Sequence, residues 1–207
     1  MTEPTGPAET TRLEELWAGE FGNEYVTRNS TLDERRAGFW RGLLGSAPIR
    51  TVLEVGCGQG GNLQPIAALL PPSDVWGIDV NADAIQRCRA NAPGTNPVHS
   101  LARQLPFRDD WFDLVFTVGV LIHQPEESLP GVMAEIVRCS RRFVLWGEYR
   151  AEATEEVPYR GVAGSLFRRD YGALYASMFP DMRLVQEGFL APEDGFDRIT
   201  WQLLEKP

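Results

Sequence analysis

The chain begins polar and then spaces its apolar residues three and four apart: Leu13, Leu16, Trp17, Phe21 and Tyr25. That spacing predicts one face of a helix from Thr11 to Asn29. Thr10 or Thr11, with Glu14 and Glu15 in the first turn, marks its start, and Gly22-Asn23 reads as an interruption. Residues 1–10 read as a flexible tail. Leu32, Phe39, Leu43 and Leu44 predict a second helix over about 31–45, stopped by Gly45 and Pro48. From Thr51 the rhythm changes to short apolar runs separated by helical stretches. Strands are predicted at 51–55, 75–78, 97–99, 112–118 and 142–146, with helices over 62–70, 82–91 and 126–139. A helix near 168–179 precedes two last strand-like runs, Met182–Phe189 and Arg198–Leu204. Their turn-rich link, Ala191 to Gly195, makes them an antiparallel pair. The pattern predicts an α/β fold: a mostly parallel seven-stranded sheet with an antiparallel C-terminal strand and helices on both faces. Residues 49–207 form this domain, and residues 11–48 form a helical segment ahead of it.

The sharpest motif is Glu54-Val55-Gly56-Cys57-Gly58-Gln59-Gly60-Gly61-Asn62, between the first strand and its helix. Nucleotide-like ligands dock at that place in open α/β sheets, and glycine lets the backbone approach them closely. Gly56, Gly58 and Gly61 also satisfy G-x-G-x-x-G, so a nicotinamide-dependent oxidoreductase stays open on the glycines alone. Two acids narrow the reading. Glu54 stands two residues before Gly56, where a carboxylate suits a ligand carrying an amine. Asp79, at the end of the second strand, can accept hydrogen bonds from ribose hydroxyls.

These features, followed by Leu105-Pro106-Phe107 and Phe112-Asp113-Leu114-Val115, resemble the successive motifs of class I S-adenosylmethionine-dependent methyltransferases. The resemblance implies a Rossmann-like fold with S-adenosylmethionine as cofactor. It implies that Glu54, Gly56, Cys57 and Gly58 hold the methionine part and that Asp79 and Val80 hold the ribose. Ser100 and Leu101 would line the adenine, with Leu101 standing where the family often has Asp, and Val118 would complete the cofactor wall. A closer resemblance spans about 14–206, to the methylases associated with pseudaminic acid biosynthesis. It is carried by Trp17 to Asn29, Gly119 to His123, Glu148-Tyr149, Tyr159-Arg160-Gly161, Leu166 to Tyr171 and Trp201 to Lys206. It implies that 11–48 folds over the cofactor as a lid, with Trp17, Tyr25, Arg28 and Asn29 facing the pocket. Aromatic rings there can pack on a sulfonium, and Arg28 can pair with a carboxylate.

The second half supplies the candidates for chemistry. His123, after the fourth strand, is a candidate general base or substrate contact. Glu148 and Tyr149 follow the fifth strand, and Tyr159 lies in the insert 149–165, the expected acceptor-side loop. Tyr149 and Arg160 are candidate substrate contacts, Arg160 for a carboxylate or phosphate or else in a salt bridge with Glu155 or Glu156. Two reactions fit: N- or O-methylation of a small polar metabolite, or attack of the cofactor's own amine on its γ-carbon. The second yields azetidine-2-carboxylate and methylthioadenosine.

Composition removes other classes. With 20 Lys+Arg against 29 Asp+Glu, the net charge is −9, which disfavours nucleic acid and anionic membrane as partners. Lys206 is the sole lysine, so no Schiff-base lysine lies within the fold. Cys57, Cys88 and Cys139 are odd in number and far apart, which fits reduced thiols and a cytoplasmic location. With two histidines and no C-x-x-C, no metal site is expected. The expected partner is a small-molecule substrate, and the chain is expected to be a monomer or homodimer.

Overall fold

The computed structural model describes residues 8–29 and 33–207. Of the expected tail 1–10, residues 1–7 lie outside the described residues, as does Leu32 in the second helix, while Glu9 and Thr10 already belong to the first helix. Strands β1 (Val52–Val55), β2 (Val75–Asp79), β3 (Asn96–His99), β4 (Phe112–Val118) and β5 (Ser140–Glu148) run parallel. A two-residue ladder, β6 (Glu155–Glu156) with β7 (Phe167–Arg168), braces the insert after β5. Strands β8 (Arg183–Leu190) and β9 (Ile199–Glu205) complete the main sheet in the order β3-β2-β1-β4-β5-β9-β8. Strand β9 is antiparallel to both neighbours, as the short connection requires. The chain thus has the mostly parallel, Rossmann-like sheet that the alternating pattern predicts.

Helices α1 (Glu9–Ala18) and α2 (Glu20–Arg28) precede α3 (Arg36–Ser46), α4 (Leu63–Ala67), α5 (Ala82–Asn91), α6 (Leu129–Cys139) and α7 (Tyr171–Met178). Alternation along each strand builds two cores. Val52, Leu114, Phe116, Phe143 and Leu203 pack on α3, α4 and α5. Leu53, Val55, Val115, Trp146 and Leu204 pack on α6 and α7. Trp40 of α3 is fully buried, its ring 4.6 Å from that of Phe116. The segment that covers the strand ends is therefore α1–α2, whereas α3 belongs to the sheet's packing. Glu54, in step with Val52, faces the α3–α4 side, where Asn62 meets it.

The first helix breaks at Gly19, whose extended backbone caps α1 and opens α2, and not at Gly22-Asn23. Gly22 has a different task. A Cβ on it would stand 1.8 Å from the Trp17 carbonyl oxygen and 2.8 Å from Asn81 Nδ2. The α1–α2 corner can thus seat on the loop after β2 only without a side chain at 22. Gly22→Ala is expected to loosen this corner by about 1–3 kcal/mol, the usual cost of overpacking. Amide exchange should accelerate in α1–α2 but not in β1, β4 or β5, and unchanged protection of α1–α2 would refute the close fit.

Candidate functional site

The strand order reverses between β1 and β4, and the crevice beyond their carboxyl ends is where open α/β sheets bind ligands. A cavity of about 230 Å³ occupies that crevice. Its floor is Glu54, Gly56, Cys57 and Gly58 from β1 and its loop, with Asp79 and Val80 from β2. Trp17, Tyr25 and Asn29 cover it from α1–α2, and Leu101 and His123 close the sides.

The glycine loop is tied to β2, because Gly56 and Cys57 both donate their amides to the Ile78 carbonyl at 2.8 Å. Gly56 sits at φ +77°, and a Cβ there would stand 2.3 Å from Val120 Cγ2. A side chain is therefore excluded on conformation and on space. A Cβ on Gly58 would meet nothing within 4 Å, so the loop leaves an open cradle on the cavity side. The neighbouring Cys88 thiol and burial hold the Cys57 thiol well above its usual pKa, so Cys57 is a protonated filler of the loop.

The two acids are held differently. Asp79 accepts from the Gly58 and Asn81 amides, each at 2.8 Å. Burial raises its pKa, and these amides act in the opposite direction. Glu54 is only 2% exposed. Its Oε1 accepts from Asn62 Nδ2 at 2.6 Å, while Oε2 is buried without a partner among the described residues. Burial pushes its pKa up to about 8. An unpaired, desolvated carboxylate oxygen at a cavity wall is a seat for a cation or a donor.

The cover is aromatic. The Trp17 ring lies 4.4 Å from His123, 5.2 Å from Phe21, 5.4 Å from Tyr25 and 6.4 Å from Tyr159. His123 Nδ1 lies 2.6 Å from the Ser165 carbonyl, which can only accept, so this nitrogen carries the proton. Its Nε2 is left as an acceptor. Burial lowers the His123 pKa to about 4, and the ring is neutral at physiological pH.

Several expected contacts lie elsewhere. Arg28 pairs with Glu24 one helical turn away and does not line the cavity. Arg36 lines it instead, donating to Asn62 Oδ1 at 3.2 Å and to the Gly195 carbonyl at 2.8 Å. Ser100 and Val118 do not line it either: the Ser100 amide donates to the Asp79 carbonyl, and Val118 packs into the core. Glu148 is fully buried beneath the site and accepts from the amides of Val120, Leu121 and Ile122 at 3.1–3.3 Å. It therefore shapes the turn that carries His123 and cannot touch a substrate. Burial lifts its pKa to about 7.

Tyr149 donates to Asp197 Oδ2 at 2.5 Å and packs beside Leu190 and Phe196, off the cavity wall. Tyr159 reaches the site through its contacts with Trp17 and His123. Arg160 is exposed over the Tyr159 ring, and the salt bridge to Glu155 is made by Arg168. Two working residues escaped the sequence reading, Arg36 and Asn81, and Asn62 closed the glycine motif without a role of its own. Asn81 carried a signal, as an asparagine in the N-cap position before α5. Arg36 carried none.

With this geometry in view, the relatives can be set beside it. Residues 52–142 match the family described as a methyltransferase domain. A phthiotriol/phenolphthiotriol dimycocerosates methyltransferase of Mycobacterium ulcerans is 38% identical over 94 residues, 44% of this chain and 34% of that protein. A fatty-acid O-methyltransferase of Mycolicibacterium smegmatis is 42% identical over 71 residues, 33% of this chain and 26% of that protein. The chain thus matches about a third or less of the length of these curated relatives. Among solved structures, the magnesium protoporphyrin IX methyltransferase of Synechocystis PCC 6803 with bound SAM superposes with a TM-score of 0.73. It covers 99% of this chain and 100% of its own at 12% identity, a likeness of fold. The shared fold is a mostly parallel Rossmann-like sheet with helices on both faces.

The raised pKa values of Glu54 and Glu148 make stability depend on pH. A carboxyl whose pKa rises from 4.5 on folding binds more protons folded than unfolded. Its contribution is therefore full below about pH 4.5 and is lost as pH rises through about 7 for Glu148 and 8 for Glu54. His123, lowered to about 4, acts in the opposite direction up to about pH 6.5. The free protein should therefore lose stability most steeply between about pH 6.5 and 8, and Glu54→Gln should lose less. Urea midpoints across that range test this, and an equally steep fall in the variant refutes it.

Proposed function

We propose that this chain is an S-adenosylmethionine-dependent methyltransferase acting on a small polar metabolite through nitrogen or oxygen. The observation that carries the reading is the floor of the cavity. An open glycine cradle at Gly58 lies between the unpaired Oε2 of Glu54 and the amide-held carboxylate of Asp79. Those groups fit the cofactor. Glu54 would receive its ammonium, and Asp79, with lone pairs to spare beyond two amides, its ribose hydroxyls. Arg36, beside Asn62 and Glu54, is placed for the carboxylate in the role expected of Arg28. The methyltransferase-domain match over 52–142 favours this over the nicotinamide reading. When bound, the cofactor supplies a carbon activated by a sulfonium. The protein's share is to align a nucleophile behind that carbon and to exclude water. Trp17, Phe21 and Tyr159 do the excluding, and His123 Nε2 is the acceptor that can orient an N–H or O–H.

The named acceptors of the relatives, a mycobacterial lipid and a fatty acid, belong to much longer proteins. The resemblance to the pseudaminic acid-associated methylases is supported by where its motifs meet. Trp17, His123 and Tyr159, from three of them, pack together over the cavity. That same packing favours a second reading. The rings crowd the side from which an acceptor would enter, so the cofactor's own amine is the nucleophile nearest at hand. A single helical cover, a cytoplasmic location and a monomeric or dimeric state complete the proposal.

Calorimetry should show S-adenosylmethionine binding to the wild type. Asp79→Ala and Gly58→Val should each weaken it by about tenfold or more, or at least about 1.4 kcal/mol. Mass spectrometry of the products then separates the readings. S-adenosylhomocysteine means methyl transfer, and methylthioadenosine from cofactor alone means cyclisation. Wild-type affinity in both variants would sink the assignment of the site.

A further inference from the structure

The polar and charged groups around the aromatic cover suggest what kind of nucleophile the site accepts. On the cofactor side stands the one arginine among the described residues that line the cavity, Arg36, engaged with Asn62 and the Gly195 carbonyl. The cover side has a different character. His123 presents a neutral acceptor nitrogen, since its other ring nitrogen donates to Ser165. Tyr159 touches Trp17, Phe21 and His123. Tyr149 is held by Asp197, and both lie near enough to Tyr25 and Tyr159 for Asp197 and the neighbouring phenols to push up the Tyr149 phenol, after burial. Arg160 is exposed to solvent over the Tyr159 ring, and the cation whose charge reaches Tyr25 is Arg36.

We propose that the nucleophile at this site is an amine nitrogen and that carboxylates are not accepted. The inference rests on the methyltransferase-fold reading of the cofactor site and names the chemistry opposite it. An anionic oxygen brought under Trp17 would lose its hydration while Arg36, the one arginine among the described residues lining the cavity, is already engaged by Asn62 and the Gly195 carbonyl, which is costly. An alcohol fares little better, because it must shed its proton as it attacks. A histidine held near pKa 4 by burial is a weak base for that. An amine arrives mostly as ammonium and first gives one proton to solvent. That is a far milder loss than an alcohol's, because an alkylammonium pKa is about 10, and the neutral amine then needs no base. Its lone pair forms the new N–C bond while the C–S bond breaks and that pair passes to sulfur, giving a thioether and an ammonium. The proton leaves afterwards to solvent. Aromatic faces suit the ammonium before and after the step. The nitrogen can come from a separate amine or from the cofactor's own α-amino group.

The test uses the full chain with S-adenosylmethionine in two arms. One contains cofactor alone. The other adds 2-phenylethylamine, 2-phenylethanol or phenylacetate, which share one carbon skeleton. The expected result is a nitrogen product in at least one arm, N-methylated amine or azetidine-2-carboxylate with methylthioadenosine, and no methyl ether or ester. His123→Phe, which keeps a ring against Trp17, should lower that turnover by about tenfold or more with the cofactor's affinity unchanged. Methyl ester or ether as main product, or cofactor binding with no nitrogen product in either arm, overturns the proposal. Failure of the cofactor to bind at all overturns the reading beneath it, and calorimetry shows which has failed.

Discussion

The structure around the site depends on how one half-buried carboxylate is satisfied. Asp79 ends β2 in a desolvated position, where a charge needs donors. The backbone supplies them through Gly58 and Asn81. Each donor belongs to something larger. Gly58 fixes the glycine loop to β2. Asn81 caps α5 through its Oδ1, and its Nδ2 reaches the Trp17 carbonyl and Asn23. Loop, helix and cover therefore meet at one point. If the hydrogen bonds at Asp79 were lost, the cradle, the α5 cap and the seat of α1–α2 would all be disturbed.

The free site is not built for its own stability. Glu54 Oε2 has no partner in a position where a polar group normally has one. Glu148 spends three amides on one turn at the cost of deep burial. Both acids would rather be neutral, and a purely structural design would replace them with amides or apolar groups. Unsatisfied polarity facing a cavity is how a fold stores affinity for a ligand that brings the missing partner. Glu148 differs in kind, since its amide donors are already present. Its strain is conformational support for His123, with no place for a ligand.

The strands and the glycine loop were legible because their signals are local. Apolar runs of four to seven residues, a glycine between strand and helix, and acids in β1 and at the end of β2 need no long-range knowledge. Arg28 and Arg36 show where this stops. Both are arginines of the N-terminal helices, but the docking of α1–α2, set by Gly22 against Asn81, leaves Arg28 exposed, while α3, packed on the sheet, holds Arg36 at the wall. Gly19 and Gly22 show the same limit. One breaks the helix and the other makes a close contact, and the sequence marks both only as glycine. Glu148 follows the fifth strand in the sequence, which makes it a candidate for chemistry, but its side chain turns inward. The turn 120–122 offered three free amides from below, and those outcompete solvent for its carboxylate.

The cover and the acceptor wall are one construction. Arg12 donates to the Gly164 carbonyl, and Thr10 donates to Glu127, so α1 is fastened to the insert and to the entrance of α6. Ser165, next to Gly164, fixes the tautomer of His123. Trp17 on α1 then packs against that imidazole. Residues more than a hundred positions apart thus set both the exclusion of water and the direction of the acceptor nitrogen. Neither function can be altered alone. A substitution that opens the cover to admit a larger acceptor also releases the ring against which His123 is oriented. Wider substrate scope in this fold should therefore come with poorer alignment, unless the insert 149–165 changes in step with α1.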